Sequence, residues 1–112
     1  MEKLINIKIK PLSVNKIFKG RRFKTKEYDI YIAELIKLLP NNISINKKSQ
    51  LKLEIEFGYS SKASDVDNGI KGFLDTLVKK YGFDDRNIYE LHVFKKITKK
   101  GEEFINFKIE EL

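Results

Sequence analysis

Residues 4–10, LINIKIK, alternate: Ile5, Ile7 and Ile9 fall on one face, and Asn6, Lys8 and Lys10 on the other. A period of two predicts a half-buried strand, and Pro11 ends it because proline has no N–H to give to a ladder. In EYDIYIAELIKLL (27–39), Tyr28, Tyr31, Ile32, Leu35, Leu38 and Leu39 recur at helical spacing until Pro40 and two asparagines stop the pattern. A polar loop, 41–49, leads to LKLEIEF (51–57), whose Leu51, Leu53, Ile55 and Phe57 point one way and Lys52, Glu54 and Glu56 the other. Between 66 and 81, the residues Val66, Ile70, Phe73, Leu74, Leu77, Val78 and Tyr81 form one continuous stripe, which predicts a helix closed by Gly82. NIYELHVFKK (87–96) and EFINFKI (103–109) read as two further strands, expected to form an antiparallel hairpin around Lys99, Lys100 and Gly101.

The predicted order is β-α-β-α-β-β. It implies an α+β single domain over residues 1–112, with a mixed four-stranded sheet and two helices packed on one face. The 112 residues are 41% hydrophobic, which supplies one core of modest size, so self-association is expected to help bury it. The chain has no cysteine, which removes disulfides and thiolate metal sites and suits a reducing cytoplasm. His92 is the sole histidine, so two-histidine chemistry is excluded; its apolar neighbours predict a buried structural role. Lysines interrupt the first apolar run, which reads as a strand and not as a signal peptide, and no stretch approaches the ~20 apolar residues of a membrane helix.

Charge changes the picture. With 23 Lys+Arg against 16 Asp+Glu, the net charge is +7, which points to an anionic partner, nucleic acid before membrane. Lys16, Lys19, Arg21, Arg22, Lys24 and Lys26 crowd one segment around Gly20, with Phe18 and Phe23 interleaved. This segment reads as a basic loop that contacts phosphates, with Lys95, Lys96, Lys99 and Lys100 as further contacts.

Against that background the acids SDVDNGIKG (64–72) and GFDD (82–85) stand out. The plainer reading is local. Ser64 and Asp67 have the spacing of a capping box, an acid in a first helical turn is stabilised by roughly 0.3–1 kcal/mol, and Asp67, Lys71 and Asp75 permit surface ion pairs. The functional reading makes the helix a crossover between neighbouring strands and expects Asp65, Asp67 and Asp85 together at one edge of the sheet. Carboxylates so gathered repel unless a hard cation neutralises them; Mg²⁺ takes oxygen ligands and keeps water positions open for a phosphate. Lys71, one turn beyond Asp67, would then hold a phosphate oxygen or the leaving group.

Ser-Asp-Val-Asp-Asn-Gly-Ile-Lys, the following Phe-Leu-Asp-Thr-Leu and the later Gly-Phe-Asp-Asp resemble the signature of the RusA family of Holliday-junction resolvases, and PLSVNKIFKGRR resembles its Pro-x-Ser-x-Asn segment and the basic residues after it. The similarity runs from residue 11 to about 96 in matching order. It implies a homodimeric endonuclease, often phage- or prophage-encoded, that needs Mg²⁺ or Mn²⁺ and no small-molecule cofactor, and that nicks four-way DNA junctions in pairs. The resemblance carries the essential acids to Asp65, Asp67 and Asp85 and the essential lysine to Lys71. Asn68, Asp75 and Asp84 take supporting positions, and Asn15 lies with the basic residues near DNA. Two other readings stay open: a non-catalytic nucleic-acid-binding module, in which the acids are caps, and a nuclease for other branched DNA.

Overall fold

The structure, a computed structural model, describes the backbone of residues 4–16, 18–19 and 23–112, with side chains described at 4–16 and 25–112. The strands and helices are β1 (Ile5–Ile7), β2 (Phe18–Lys19), β3 (Phe23–Lys24), α1 (Lys26–Leu38), β4 (Leu51–Tyr59), α2 (Ile70–Tyr81), β5 (Ile88–Ile97) and β6 (Phe104–Glu111). One-turn 3₁₀ segments stand at Val14–Lys16 and Asp85–Asn87. β2 and β3 pair antiparallel as a small ribbon within the segment expected to be loop.

The main sheet has the order β1-β6-β4-β5. β6 runs antiparallel to both β1 and β4, whereas β5 runs parallel to β4. The mixed four-stranded sheet with two helices is therefore as expected, but β5 and β6 are not a hairpin. β4 lies between them. Its alternate residues Leu51, Leu53, Ile55 and Phe57 are almost wholly buried, as are Ile105 and Phe107 of β6, so these two strands take the centre. β5 is exposed along most of its length and takes an edge. The connection 98–103 steps over the end of β4, a span of about 10 Å at two strand spacings.

One face of the sheet carries the core. Leu51, Leu53, Ile55, Phe57 and Tyr59 join Ile105, Phe107 and Ile109, and the buried stripes of both helices close over them. From α1 come Tyr28, Tyr31, Ile32, Leu35 and then Leu39, while Leu38 stays 47% exposed at the flank of the stripe. From α2 come Phe73 and Leu77; the Phe73 ring stands edge-on to Phe57 and Phe107 at 6.3 and 5.2 Å. The helices meet through Lys80 Nζ, which donates to Ile36 O at 2.7 Å, and through Tyr81 OH, which donates to Pro40 O at 2.6 Å. The other sheet face carries no helix and is laced by polar pairs, among them Lys108–Glu54 at 3.1 Å and Lys96–Glu56 at 3.5 Å.

α1 begins as its sequence predicts: Thr25 Oγ1 caps it by accepting from Tyr28 N at 3.1 Å. α2 does not. It starts at Ile70, four residues later than the stripe suggested, and Val66 is 44% exposed. Gly69 holds the N-cap position without a side-chain cap, so the Ser64–Asp67 capping box is not formed. Gly82 ends α2 at φ 76°, its N–H donating to Val78 O at 2.8 Å. His92 is also corrected: it is exposed and faces Glu90 Oε1 at 3.3 Å, because it stands opposite Glu54 on the sheet face that carries no helix.

Candidate functional site

At the C-terminal end of β4 the chain leaves Tyr59 and folds through two tight turns before α2. Asn68 N donates to Asp65 O and Ile70 N to Asp67 O, each at 3.1 Å. Asp65 and Asp67 are exposed, and neither carboxylate forms a hydrogen bond or ion pair with the described residues.

The acid turn is held from two sides. On the core side Tyr59 OH accepts the Gly69 N–H at 2.9 Å. A Cβ on Gly69 would stand 2.9 Å from the Phe57 ring and 3.1 Å from that hydroxyl, so this close seating requires glycine. Burial, opposed by the Gly69 N–H and followed by the nearby Asp67 and Asp65 charges, pushes the Tyr59 hydroxyl up to about 12. On the outer side Val14 N donates to Asn68 O and Ser13 Oγ to Asn68 Oδ1, both at 3.0 Å. The N-terminal Ser13–Asn15 segment and the acid turn are thus one unit, although 55 residues separate Ser13 from Asn68.

Beside this unit lies a cleft of about 240 Å³, lined by Lys10, Lys16, Ser13, Ser60, Ser61, Ser64, Asn68 and Tyr59, and also by Glu27 and Glu103. Cationic and hydroxyl groups in such a cleft are ordinary phosphate ligands. Lys16 also faces Glu27 at 4.0 Å. Asn15 is exposed next to this cleft, and Lys26 is exposed at the start of α1. Of the other expected DNA contacts, Arg21 and Arg22 lie outside the described residues, and for Lys19 and Lys24 only the backbone is described.

Lys71 follows the acid turn on the first turn of α2. Its Nζ donates to Asp75 Oδ1 at 3.1 Å, and Asp75 Oδ2 accepts from Tyr28 OH at 3.1 Å. Asp75 therefore anchors the lysine and joins the two helices.

The other acids sit elsewhere. Asp84 caps the 3₁₀ turn Asp85–Asn87: its Oδ1 accepts from Arg86 N at 2.9 Å and its Oδ2 from Arg86 Nε at 3.1 Å. These two hydrogen bonds hold its carboxyl below the usual carboxylate range. Asp85 is exposed and borders an open hollow with Tyr28, Asp75, Lys79 and Asp84.

The expectation that Asp85 joins Asp65 and Asp67 within the chain is overturned by the topology. β4 and β5 are parallel, with Leu51 opposite Ile88 and Tyr59 opposite Ile97, so α2 must run back along the sheet between them. The acid turn lies past the Tyr59 end and Asp85 before the Ile88 end. At 1.5 Å rise per residue α2 alone separates them by about 18 Å. Among the described residues no three His, Cys, Asp or Glu side chains are grouped to hold a metal ion.

The sequence profile described as "Endodeoxyribonuclease RusA" matches residues 13–108. The chain belongs to the RusA endodeoxyribonuclease family. The RusA match opens at Ser13, so it takes in the segment bound to Asn68, the acid turn, all of α2 and the Asp84–Asp85 pair, and leaves out β1. No curated protein sequence matches the chain. Among the described residues, no helix is long and apolar enough to cross a membrane.

Three features escaped the sequence reading: Tyr59, Ser13 as a support of Asn68, and the Lys10/Ser60/Ser61/Ser64 side of the cleft. Tyr59 had a signal. The alternation of β4, extended one period past Phe57, puts its side chain on the core face directly ahead of the acids.

Proposed function

We propose that this chain is a structure-selective endonuclease that works as a homodimer, resolving four-way DNA junctions by Mg²⁺-dependent hydrolysis of phosphodiester bonds. The observation that carries the reading is the acid turn. Two exposed carboxylates, held from both sides and without ion pairs to the described residues, stand beside a polar cleft that holds Lys10, Lys16 and four serines, in a chain of net charge +7.

The donor set fits the ion. Mg²⁺ takes one or two protein carboxylates and completes its shell with water and substrate oxygens, and Asp65 and Asp67 supply that number from one turn. When bound, the ion supplies the charge that makes a water nucleophilic and stabilises the crowded phosphorus of the transition state; Mn²⁺ serves the same donors. The chain's own residues do the rest. Lys10, Lys16 and the serines of the cleft bind flanking phosphates, and Asn15 and the basic residues after it extend that contact. Asn68 keeps the acid turn in place through Ser13 and Val14. Lys71, steadied by Asp75, neutralises charge on a phosphate oxygen or on the departing oxygen.

Asp85 cannot serve the acid turn of its own chain. If it acts with Asp65 and Asp67, it does so on the turn of the second protomer, and a two-fold dimer then has two equivalent sites for the two strands to be cut. Such a protein works in the cytoplasm, where junctions arise.

The test is a labelled four-way junction incubated with protein and Mg²⁺. Paired symmetric nicks, lost on adding EDTA and in Asp67→Asn, are expected. Wild-type rates from Asp67→Asn would refute the metal assignment. Tight binding without cleavage of any branched DNA would leave the non-catalytic module, and cleavage of forks or flaps in preference to four-way junctions would change the substrate.

A further inference from the structure

We infer that the free edge of β5 is the surface through which two copies of this chain associate, antiparallel about a two-fold axis at Val93. The inference rests on the homodimer reading above and gives it a place and a register.

β5 has ten residues and pairs only with β4. No described residue hydrogen-bonds its outer edge. An edge this long is a template for another strand, and monomeric proteins block such edges with proline, bulges, short strands or charged side chains, lysine above all. β5 has no proline, its one register irregularity lies at its first residues, opposite Leu51/Lys52, and its two lysines are engaged within the chain, Lys95 by Lys62 O at 2.9 Å and Lys96 by Glu56 at 3.5 Å. Tyr89 is 63%, Leu91 42%, Phe94 54% and Ile97 45% exposed, and no other strand carries so many exposed large apolar side chains.

The occupant follows from self-complementarity. In an antiparallel pair, residues opposite each other lie on the same sheet face, so a two-fold axis can only be centred on a residue. Centred on Val93, it sets Glu90 opposite Lys96 of the second copy, twice by symmetry, and Leu91 opposite Lys95 of the second copy. His92 then faces Phe94 of the second copy. Moving the centre to His92 sets Glu90 against Phe94 and Leu91 against Val93. Moving it to Phe94 sets Lys96 against His92 and Leu91 against Ile97. Of these three registers only the Val93 one pairs opposite charges, and opposite charges across strands are favourable where like charges are not.

The acid-bearing loop leans towards this edge, for Lys95 Nζ of β5 donates to Lys62 O at 2.9 Å. Antiparallel pairing sets the Ile88 end of one strand beside the Ile97 end of the other. Asp85 of one copy therefore arrives at the end of the joint sheet that bears Asp65 and Asp67 of the other. The joint sheet has eight strands, with two such ends about 30 Å apart at 3.3 Å rise per residue.

Sedimentation of the wild-type protein first establishes whether it is a dimer. Glu90→Lys should raise the dimer dissociation constant about tenfold or more, as should Lys96→Glu, and the double reversal should recover most of that loss. Both sites are exposed, and circular dichroism of each variant is the check on its fold, which matters for Lys96 because it also meets Glu56 at 3.5 Å. In this cysteine-free chain Val93→Cys should yield a covalent dimer on mild oxidation, since antiparallel partners stand within disulfide range. A dimeric wild type whose charge variants stay dimeric and whose Val93→Cys form does not cross-link overturns the β5 register and leaves the homodimer reading intact. A wild type that is monomeric with and without junction DNA overturns both.

Discussion

The Tyr59 hydroxyl accepts the Gly69 N–H at 2.9 Å in the core, one residue before the helix that follows Asp65 and Asp67. It replaces the side-chain cap that α2 lacks and fixes the acid turn to the end of a central strand. Tyr59→Phe leaves a buried N–H without its acceptor, which costs about 1–3 kcal/mol. It also loosens the carboxylates, so the Mg²⁺ concentration for half-maximal junction cleavage should rise about tenfold, as when a metal ligand loses its support. A merely structural loss would lower the melting temperature and leave that concentration unchanged. Gly69→Ala should act in the same direction, because its Cβ would meet the buried Phe57 ring at 2.9 Å.

The same hydroxyl sets an alkaline limit. Burial pushes Tyr59, Tyr81 and Tyr28 up to about 12 from an ordinary value near 10, with the Asp75 charge and hydrogen bond adding to the effect at Tyr28. The folded state holds these protons more tightly than the unfolded chain. Their contribution is therefore complete below pH 10 and is lost as pH rises through about 12. Urea titrations across that window should show stability falling with pH, and the slope should be shallower in Tyr59→Phe. An unchanged slope would mean that Tyr59 titrates at its ordinary value.

How far the sequence reaches is clear from particular residues. The alternation of 51–57 and of 103–109 and the stripe from Ile70 to Tyr81 are backbone periods written in side-chain polarity, and the structure follows them. Alternation names a strand's face and says nothing of its neighbour, so the place of β4 between β5 and β6 was not legible. The start of α2 was misread because Ser64 and Asp67 have capping-box spacing, while the interaction that sets the start comes from Tyr59, ten residues upstream. The separation of Asp85 from Asp65 was legible in principle. A parallel crossover always returns its helix to the opposite end of the sheet, and that rule outranks the attraction of reading nearby acids as one cluster.

Tyr31 offers a test free of the site. Its hydroxyl is buried with no hydrogen-bond partner among the described residues, and burial, then the neighbouring Tyr59, pushes its ionisation upward. An unsatisfied buried hydroxyl is a cost that phenylalanine avoids at nearly the same shape. Tyr31→Phe should stabilise the protein by about 1 kcal/mol in chemical denaturation. Destabilisation would show that the hydroxyl has a partner in solution.

Asp84 and Asp85 are adjacent yet differ in kind. Both are exposed and border the same hollow, but only Asp84 accepts from Arg86 N and Nε and caps the 3₁₀ turn. Asp84→Asn should lower stability, most visibly above the ordinary carboxylate range where the native charge is present, and spare cleavage by the folded fraction. Asp85→Asn should spare stability and abolish cleavage. The sharper test is complementation. Asp67→Asn and Asp85→Asn are each inactive as homodimers if Asp85 serves the partner's acid turn. In their mixed dimer one site combines both lesions and the other has neither. An equal mixture should therefore regain about a quarter of the wild-type sites by random pairing, and it should nick one strand of a junction without the paired second cut. If Asp85 served its own chain, every site in the mixture would carry one lesion and no activity would return. Gel analysis of a junction labelled on both cleavable strands separates these outcomes.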